Sequence, residues 1–209
     1  MKKTLLFLVF TFISTFTFCQ DTKPFGIFIG LNATNATMPA GYTQDYSALK
    51  VGYSIGGVAD IRLGKFLSFQ PGLYYTMKGG STEDDNVEVS IGLPNSSGTT
   101  KLIIDYIEVP FNVIFNTKGE GTTFFAGGGP YAAVKLSSVL KFNDGNETDI
   151  FGSPDLNTAD IGYNIMCGVR FAKGFALRIA YGRSLTSIYR EQPGMKNGGI
   201  NFSAGYFFK

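Results

Sequence analysis

Residues 200–208 read Ile-Asn-Phe-Ser-Ala-Gly-Tyr-Phe-Phe and alternate strictly. Ile200, Phe202, Ala204, Tyr206 and Phe208 fall on one face, and Asn201, Ser203, Gly205 and Phe207 on the other. A strand has a side-chain period of two, so this segment has one large apolar face and one mostly small or polar face. A strand of this kind needs an apolar environment on one side only. It therefore belongs to a sheet whose two faces meet different media.

The same pattern recurs along the chain, which divides into eight alternating segments. Phe25 to Asn32 is the first, with Phe25, Ile27, Ile29 and Leu31 on the apolar face. The second runs from about Leu49 to Arg62, the third from Phe66 to Lys78 and the fourth from Lys101 to Asn116. The fifth, Thr122 to Leu136, contains Gly127-Gly128-Gly129, and its facing is ambiguous. Ile161 to Phe171, Phe175 to Ser184 and the C-terminal strand complete the set. Long polar stretches at 33–48, 79–100, 137–158 and 187–197 alternate with short turns at 63–65, 117–121 and 172–174. Both chain ends fall on the short-turn side.

These features predict an all-β, eight-stranded antiparallel transmembrane barrel of the outer-membrane type. Such barrels have an even strand count, long loops outside and short turns at the periplasm. Closure pairs every backbone donor and acceptor where no water is available. A soluble eight-stranded cup shares the composition. The loop asymmetry and the two chain ends favour the membrane, with both termini periplasmic.

At the N-terminus, Lys2 and Lys3 precede an apolar run, Thr4 to Phe18, and Thr17 and Cys19 offer small residues before Gln20. This reads as a secretory signal, residues 1–19, followed by a barrel domain, residues 20–209. A rival reading makes Cys19 a lipidated N-terminus, but the bulky Phe18 before it disfavours that processing. With Cys19 removed, Cys167 stands alone and no intrachain disulfide forms. Its position between Ile165 and Val169 reads as a small buried hydrophobe.

The chain has no histidine, which removes the usual general base, the histidine triads and histidine metal sites. Barrel enzymes acting on lipid A lean on Ser with His, and this chain lacks that scheme. The formal charge of +2 makes no case for nucleic acid. No cofactor is expected, and no catalytic or metal-binding residue stands out. The acidic stretches Glu83-Asp84-Asp85 and Asn143 to Asp149 hold oxygen ligands but lack the spacing of a calcium loop, and read as solvated loops.

The charges within strands are the candidate site. Asp60, Arg62, Glu108, Arg170 and Arg178 all share the small, polar face. A barrel of eight strands has a lumen just wide enough to be filled by side chains. Unpaired charges there are costly, so Asp60 and Glu108 are expected to pair with Arg62, Arg170 or Arg178. Phe28, Tyr74, Tyr106, Met166 and Phe207 on the same face would plug the barrel. A narrow polar pore is the alternative. Aromatics near strand ends, among them Tyr53, Tyr75, Tyr163, Phe171, Phe175 and Tyr206, suit interfacial girdles.

Four motifs go further. They are the Gly-spaced first strand ending in Leu31-Asn32, Phe69-Gln70-Pro71-Gly72-Leu73-Tyr74-Tyr75, Tyr106-Ile107-Glu108-Val109-Pro110, and Ala126-Gly127-Gly128-Gly129-Pro130-Tyr131. In these the chain resembles the outer-membrane β-barrel domain family common in the Bacteroidota, often labelled PorT-like. The resemblance spans the mature chain and implies a small eight-stranded barrel. It points to no activity, and the secretion role of the name-giving member is not carried over, since no residue here identifies it. Tyr206 and Phe208 also resemble the aromatic C-terminal signal read by the barrel-assembly machinery. The expected surroundings are outer-membrane lipid and lipopolysaccharide, with the barrel monomeric and other partners unnamed.

Overall fold

The computed structural model describes residues 25–37, 46–82, 100–117, 121–142, 145–190 and 194–208. The signal segment, Glu83-Asp84-Asp85, Asn143 and Asp144 lie outside the described residues. The elements are β1 (Phe25–Thr37), β2 (Tyr46–Ala59), β3 (Ile61–Arg62), β4 (Leu67–Thr82), β5 (Thr100–Asn116), β6 (Thr123–Lys141), β7 (Glu147–Asp149), β8 (Ala159–Arg170), β9 (Phe175–Ser184) and β10 (Lys196–Phe207). Eight are long; β3 continues the line of β2, and β7 is a short flap paired with β6.

Every neighbour is antiparallel, and β1 pairs with β2 on one side and β10 on the other. With β2 also paired to β4, the sheet closes into an eight-stranded barrel. The first and last strands meet over most of their length, from Gly26 opposite Phe207 to Thr37 opposite Lys196. Closure leaves no strand edge in the wall. Register shifts interrupt the described ladders in three places, β1–β2 between Thr34 and Ala36, β5–β6 between Asp105 and Tyr106, and β2–β4. Between the pairs Ala48–Ser81 and Ser54–Thr76 the register of β2 against β4 shifts.

Most of the long strands run beyond their sequence-read limits. β1 continues to Thr37, β4 to Thr82 and β6 to Lys141, and β10 begins at Lys196. Apolar alternation stops where the lipid stops, but ladder hydrogen bonds do not depend on it. The added residues at the long-loop end are largely polar, which is why the pattern missed them.

The outer face is apolar. Phe25, Ile29 and Leu31 of β1 are all more than 60% exposed. A continuous belt of such residues around the whole sheet is incompatible with water and suits acyl chains. The belt carries aromatics at both ends. Outward Tyr53, Tyr163 and Tyr181 lie toward the long loops, and Phe25, Phe66, Phe115, Phe124, Phe175 and Tyr206 toward the turns. Phenol hydroxyls reach a polar headgroup layer, whereas phenylalanine rings stay in the apolar band. Cys167 is exposed on this outer face rather than buried. The face it shares with Ile165 and Val169 is the lipid side, so its apolar neighbours do not enclose it.

The inner face is filled by rings seated over glycines of adjacent strands. A Cβ on Gly26 would lie 2.9 Å from the Phe207 ring, one on Gly205 2.4 Å from Phe28, and one on Gly162 2.5 Å from Tyr131. The triple glycine of β6 has a different cause. A Cβ on Gly127 or Gly129 would strike carbonyl oxygens of β5, and one on Gly128 a carbonyl of β8. Only a residue without a side chain lets the three backbones approach so closely.

A candidate functional site in the lumen

Inward-facing polar residues stack in layers from the turn end to the long-loop end. In the lowest layer Arg170, the last residue of β8, donates from Nη1 to Asp60 Oδ2 at 2.8 Å. Gln70 Nε2 donates to the other oxygen of Asp60 at 3.5 Å. The Arg170 guanidinium lies 3.7 Å above the ring of Phe207, which meets Phe28 edge-on at 5.6 Å between centroids. Phe28, Val58, Tyr74, Ala176 and Phe207 form one buried cluster that closes this end of the lumen.

Arg178 belongs to the layer above. Its Nε donates to Ser203 Oγ at 3.1 Å and its Nη1 to the Tyr74 hydroxyl at 3.0 Å. The guanidinium also stacks 4.4 Å from the Phe28 ring centre. A belt of amides follows. Asn201 Nδ2 donates to Asn32 Oδ1 at 2.6 Å and to Ser54 Oγ at 3.0 Å. Asn32 Nδ2 in turn reaches Thr76 Oγ1 at 3.0 Å and the carbonyls of Tyr53 and Met77, each at 3.1 Å. Those carbonyls lie where the β2–β4 ladder is interrupted. The Asn32 side chain therefore replaces the missing ladder partners from inside the barrel, as buried carbonyls require.

Nearer the long loops, Lys78 Nζ stands 2.6 Å from Glu108 Oε2 and 3.3 Å from Asp160 Oδ2. The ammonium also lies 4.1 Å from the centre of the Tyr131 ring. Asp160 accepts from the Tyr131 hydroxyl at 3.3 Å and from Thr186 Oγ1 at 3.1 Å. Above this triad the loops fold inward. Phe142, Ile150, Leu156, Ile188 and Met195 pack with Leu102, Ile104, Tyr106 and Leu140 of the barrel mouth into a second buried cluster. A bridge between Leu156 and Tyr189 joins the two loops. Burial, then the carboxylate of Asp155, pushes the Tyr189 phenol above its ordinary range.

Between the two clusters lies a cavity of about 100 Å³, lined by residues of both polar layers. Asn112, Asn164 and Asn197 face it with Oδ1 atoms that have no hydrogen-bond partner.

The five charges singled out from the sequence occupy several levels rather than one network. Asp60 and Arg170 meet directly. Glu108 pairs not with an arginine but with Lys78, and Arg178 has no carboxylate partner among the described residues. Arg62 lies half-buried at the turn end, its Nε unpartnered. Arg62 and Arg170 occupy turn-end positions, and Arg178 bonds into the low aromatic layer, so none meets Glu108. The sequence reading missed Lys78 and Asp160, which it placed at a strand end and just ahead of a strand. Extending the inward parity of β4 and β8 by one step toward the long loops would have found both. In the loop before β8, Glu147 pairs with Lys141 at 2.5 Å, and Asp149 accepts from the Phe151 amide at 2.8 Å. Tyr206 and Phe208 both face outward, their rings edge-on at 5.4 Å.

The fold is that of known outer-membrane barrels. Neisserial surface protein A matches with a TM-score of 0.51 at 12% identity, over 88% of this chain and 97% of that one. The outer membrane enzyme PagL matches with a TM-score of 0.52 at 11% identity, over 88% of this chain and 99% of that one. At such identities the likeness concerns the fold alone. No curated protein matches in sequence. The sequence profile described as outer membrane protein beta-barrel domain matches residues 20–190. With its closed barrel and lipid-facing belt, the chain is an outer-membrane protein and belongs to the outer membrane protein beta-barrel domain family.

Proposed function

We propose that this barrel neither conducts nor catalyses, and that it works as a monomeric binding or scaffold protein through the face built by its long loops. The observation that carries this reading is the double closure of the lumen. One cluster, around Phe28 and Phe207, fills the turn end. The other, around Leu102, Leu156 and Met195, fills the mouth with loop side chains. A hydrated ion crossing the barrel would have to shed its water twice against apolar surface, and the desolvation of a charge is prohibitive there.

Several features support the placement. Short turns and both described ends of the barrel lie together, which suits the periplasm, and the long loops then face outward against lipopolysaccharide. PagL shares the fold, but this chain has no histidine to serve as a general base. Within the family, the motifs around Gln70-Pro71-Gly72, Glu108 and Gly127-Gly128-Gly129 support the PorT-like branch of the Bacteroidota.

Single-channel recording tests the reading. Refolded protein whose gel mobility shifts on heating is added to a planar bilayer. A silent bilayer is the expected outcome. Discrete, reproducible conductance steps would overturn the closed-lumen reading and assign the barrel a pore function.

A further inference from the structure

Arg178 lines the cavity between the two plugs and is 8% exposed. Its Nε and Nη1 donate to the neutral hydroxyls of Ser203 and Tyr74, at 3.1 and 3.0 Å. The Phe28 ring covers one flat side of the guanidinium, its centre 4.4 Å from Cζ. Among the described residues no carboxylate pairs with Arg178, and its Nη2 has no hydrogen-bond partner. A guanidinium does not shed its proton, so burial leaves a full positive charge that neutral hydroxyls solvate without cancelling.

The acids nearby are already engaged. Glu108, the carboxylate on the cavity wall, lies 2.6 Å from the ammonium of Lys78, which lines the same cavity. Asp160, the second partner of Lys78, sits outside the lining. Lys50 brings a further buried ammonium close by, its Nζ 3.4 Å from the Lys78 carbonyl. The electrostatic surplus at the cavity is therefore positive.

Uncharged donors face the same space. Asn112 and Asn164 line the cavity at 1% and 9% exposure, and their side-chain amides make no hydrogen bond to any described residue. A half-turn of χ2 exchanges the acceptor and donor corners of an amide, so each can present its NH2 group to a ligand. Beyond Arg178 on the inward face of β9 stand Ala180 and Gly182, and a Cβ on Gly182 would meet nothing nearer than 3.9 Å. That strand thus puts no large side chain over this part of the cavity.

We infer that the cavity holds a single small monovalent anion, a halide or a short carboxylate, bound by the free edge of Arg178 and by the amides of Asn112 and Asn164. Charge-assisted N–H bonds replace the water that the ion gives up, and the ion cancels the charge of the guanidinium. Water alone satisfies the amides and leaves that charge standing. A cation meets like charge at Arg178 and Lys78. The volume of about 100 Å³ accommodates an ion of this size with water beside it. Because apolar clusters close both ends of the lumen, the ion is enclosed as the barrel folds. The inference goes beyond the loop-face role proposed above and stands independently of it.

The test refolds the whole barrel in non-ionic detergent with sodium gluconate, an anion too large for the cavity, as the only salt. In parallel samples about 50 mM of the gluconate is replaced by chloride, formate or acetate, so that ionic strength and its screening stay fixed. Refolding in the presence of the salt removes any dependence on entry through the closed mouth. Thermal unfolding is followed by circular dichroism as each small anion is titrated. At least one of the three is expected to raise the midpoint saturably, and the lowest half-saturating concentration tells a halide from a carboxylate. Arg178→Met, which keeps an unbranched side chain and removes the charge, should abolish the rise. Asn112→Leu should keep the rise but increase the half-saturating concentration about tenfold or more, the worth of one hydrogen bond to a charged group. Midpoints that none of the three anions changes would overturn the inference. So would a rise that grows without saturating, or one that survives intact in Arg178→Met. Should Arg178→Met not fold, an unshifted half-saturating concentration in Asn112→Leu overturns it instead.

Discussion

Arg170 and Asp60 are 110 positions apart in the chain and 2.8 Å apart in the lumen. The contact joins the last residue of β8 to the junction of β2 and β3, across the barrel's closed end. Both side chains are nearly out of contact with solvent, and Phe207 lies under the guanidinium. Breaking such a pair by removing one partner leaves a buried charge alone. Asp60→Ala is therefore expected to cost about 3–5 kcal/mol. Asp60→Leu combined with Arg170→Met should cost less than Asp60→Ala, a sign reversal of additivity read from unfolding in urea.

Lys78 between Glu108 and Asp160 gives a ranking rather than a single value. Glu108→Ala removes one of two carboxylates and leaves Lys78 paired with Asp160, so it lowers the thermal midpoint moderately. Lys78→Met leaves two carboxylates facing each other with no cation between them, and lowers it more. Equal midpoints for the two variants would show that the triad does not act as a unit.

Gly26 and Phe207 test how the lumen is filled. The three atoms nearest a Cβ at Gly26 all belong to the Phe207 ring, the closest at 2.9 Å. Gly26→Ala should displace the ring and cost about 1–3 kcal/mol. Phe207→Leu makes room for the methyl group, so the double variant should lose less than the sum of the singles. Additive losses would mean that the ring moves freely.

The loop cap should be separable from the barrel. Leu156→Asp places a carboxylate in the cluster formed by Leu102, Ile188 and Met195. The loops at 145–158 and 185–190 should become cleavable by added protease, while the heat-dependent gel shift of the barrel is retained. Loss of the shift would show that the cap and the wall fold as one unit.

Phe207 and Phe208 are adjacent and do different work. Phe207 is 1% exposed and Phe208 is 44% exposed on the outer face. Phe207→Ala should destabilise protein refolded in detergent by about 3–5 kcal/mol, as for a buried ring, and lower its midpoint. Phe208→Ala should leave it nearly unchanged. If Phe208→Ala nevertheless reduces the amount of folded barrel in cells, the deficit lies in assembly, as expected for an aromatic terminal signal.

Much of this was legible in the chain because a strand writes its two environments into alternate residues. The eight segments, the loop asymmetry and the inward placement of Phe28, Tyr74, Met166 and Phe207 all follow from that period. Cys167 shows the limit of the same reasoning. Its apolar neighbours marked a face correctly, but not which side of the wall enclosed that face. The loop cluster around Leu156 and Met195 carries no periodic pattern, so nothing local announced that it would seal the mouth.

The sequence by itself determined that the chain alternates, that it closes an even-numbered barrel and which residues share a face, because these depend on spacing along one strand. Only the tertiary structure decided which inward residues meet. Closure brings strands from opposite sides of the lumen within reach of each other, and the stagger between neighbouring strands sets their relative height. Arg170 thereby falls level with Asp60 and Lys78 with Glu108 and Asp160, while Arg178 meets no carboxylate among the described residues. That vertical order is a property of the closed sheet and of no single strand.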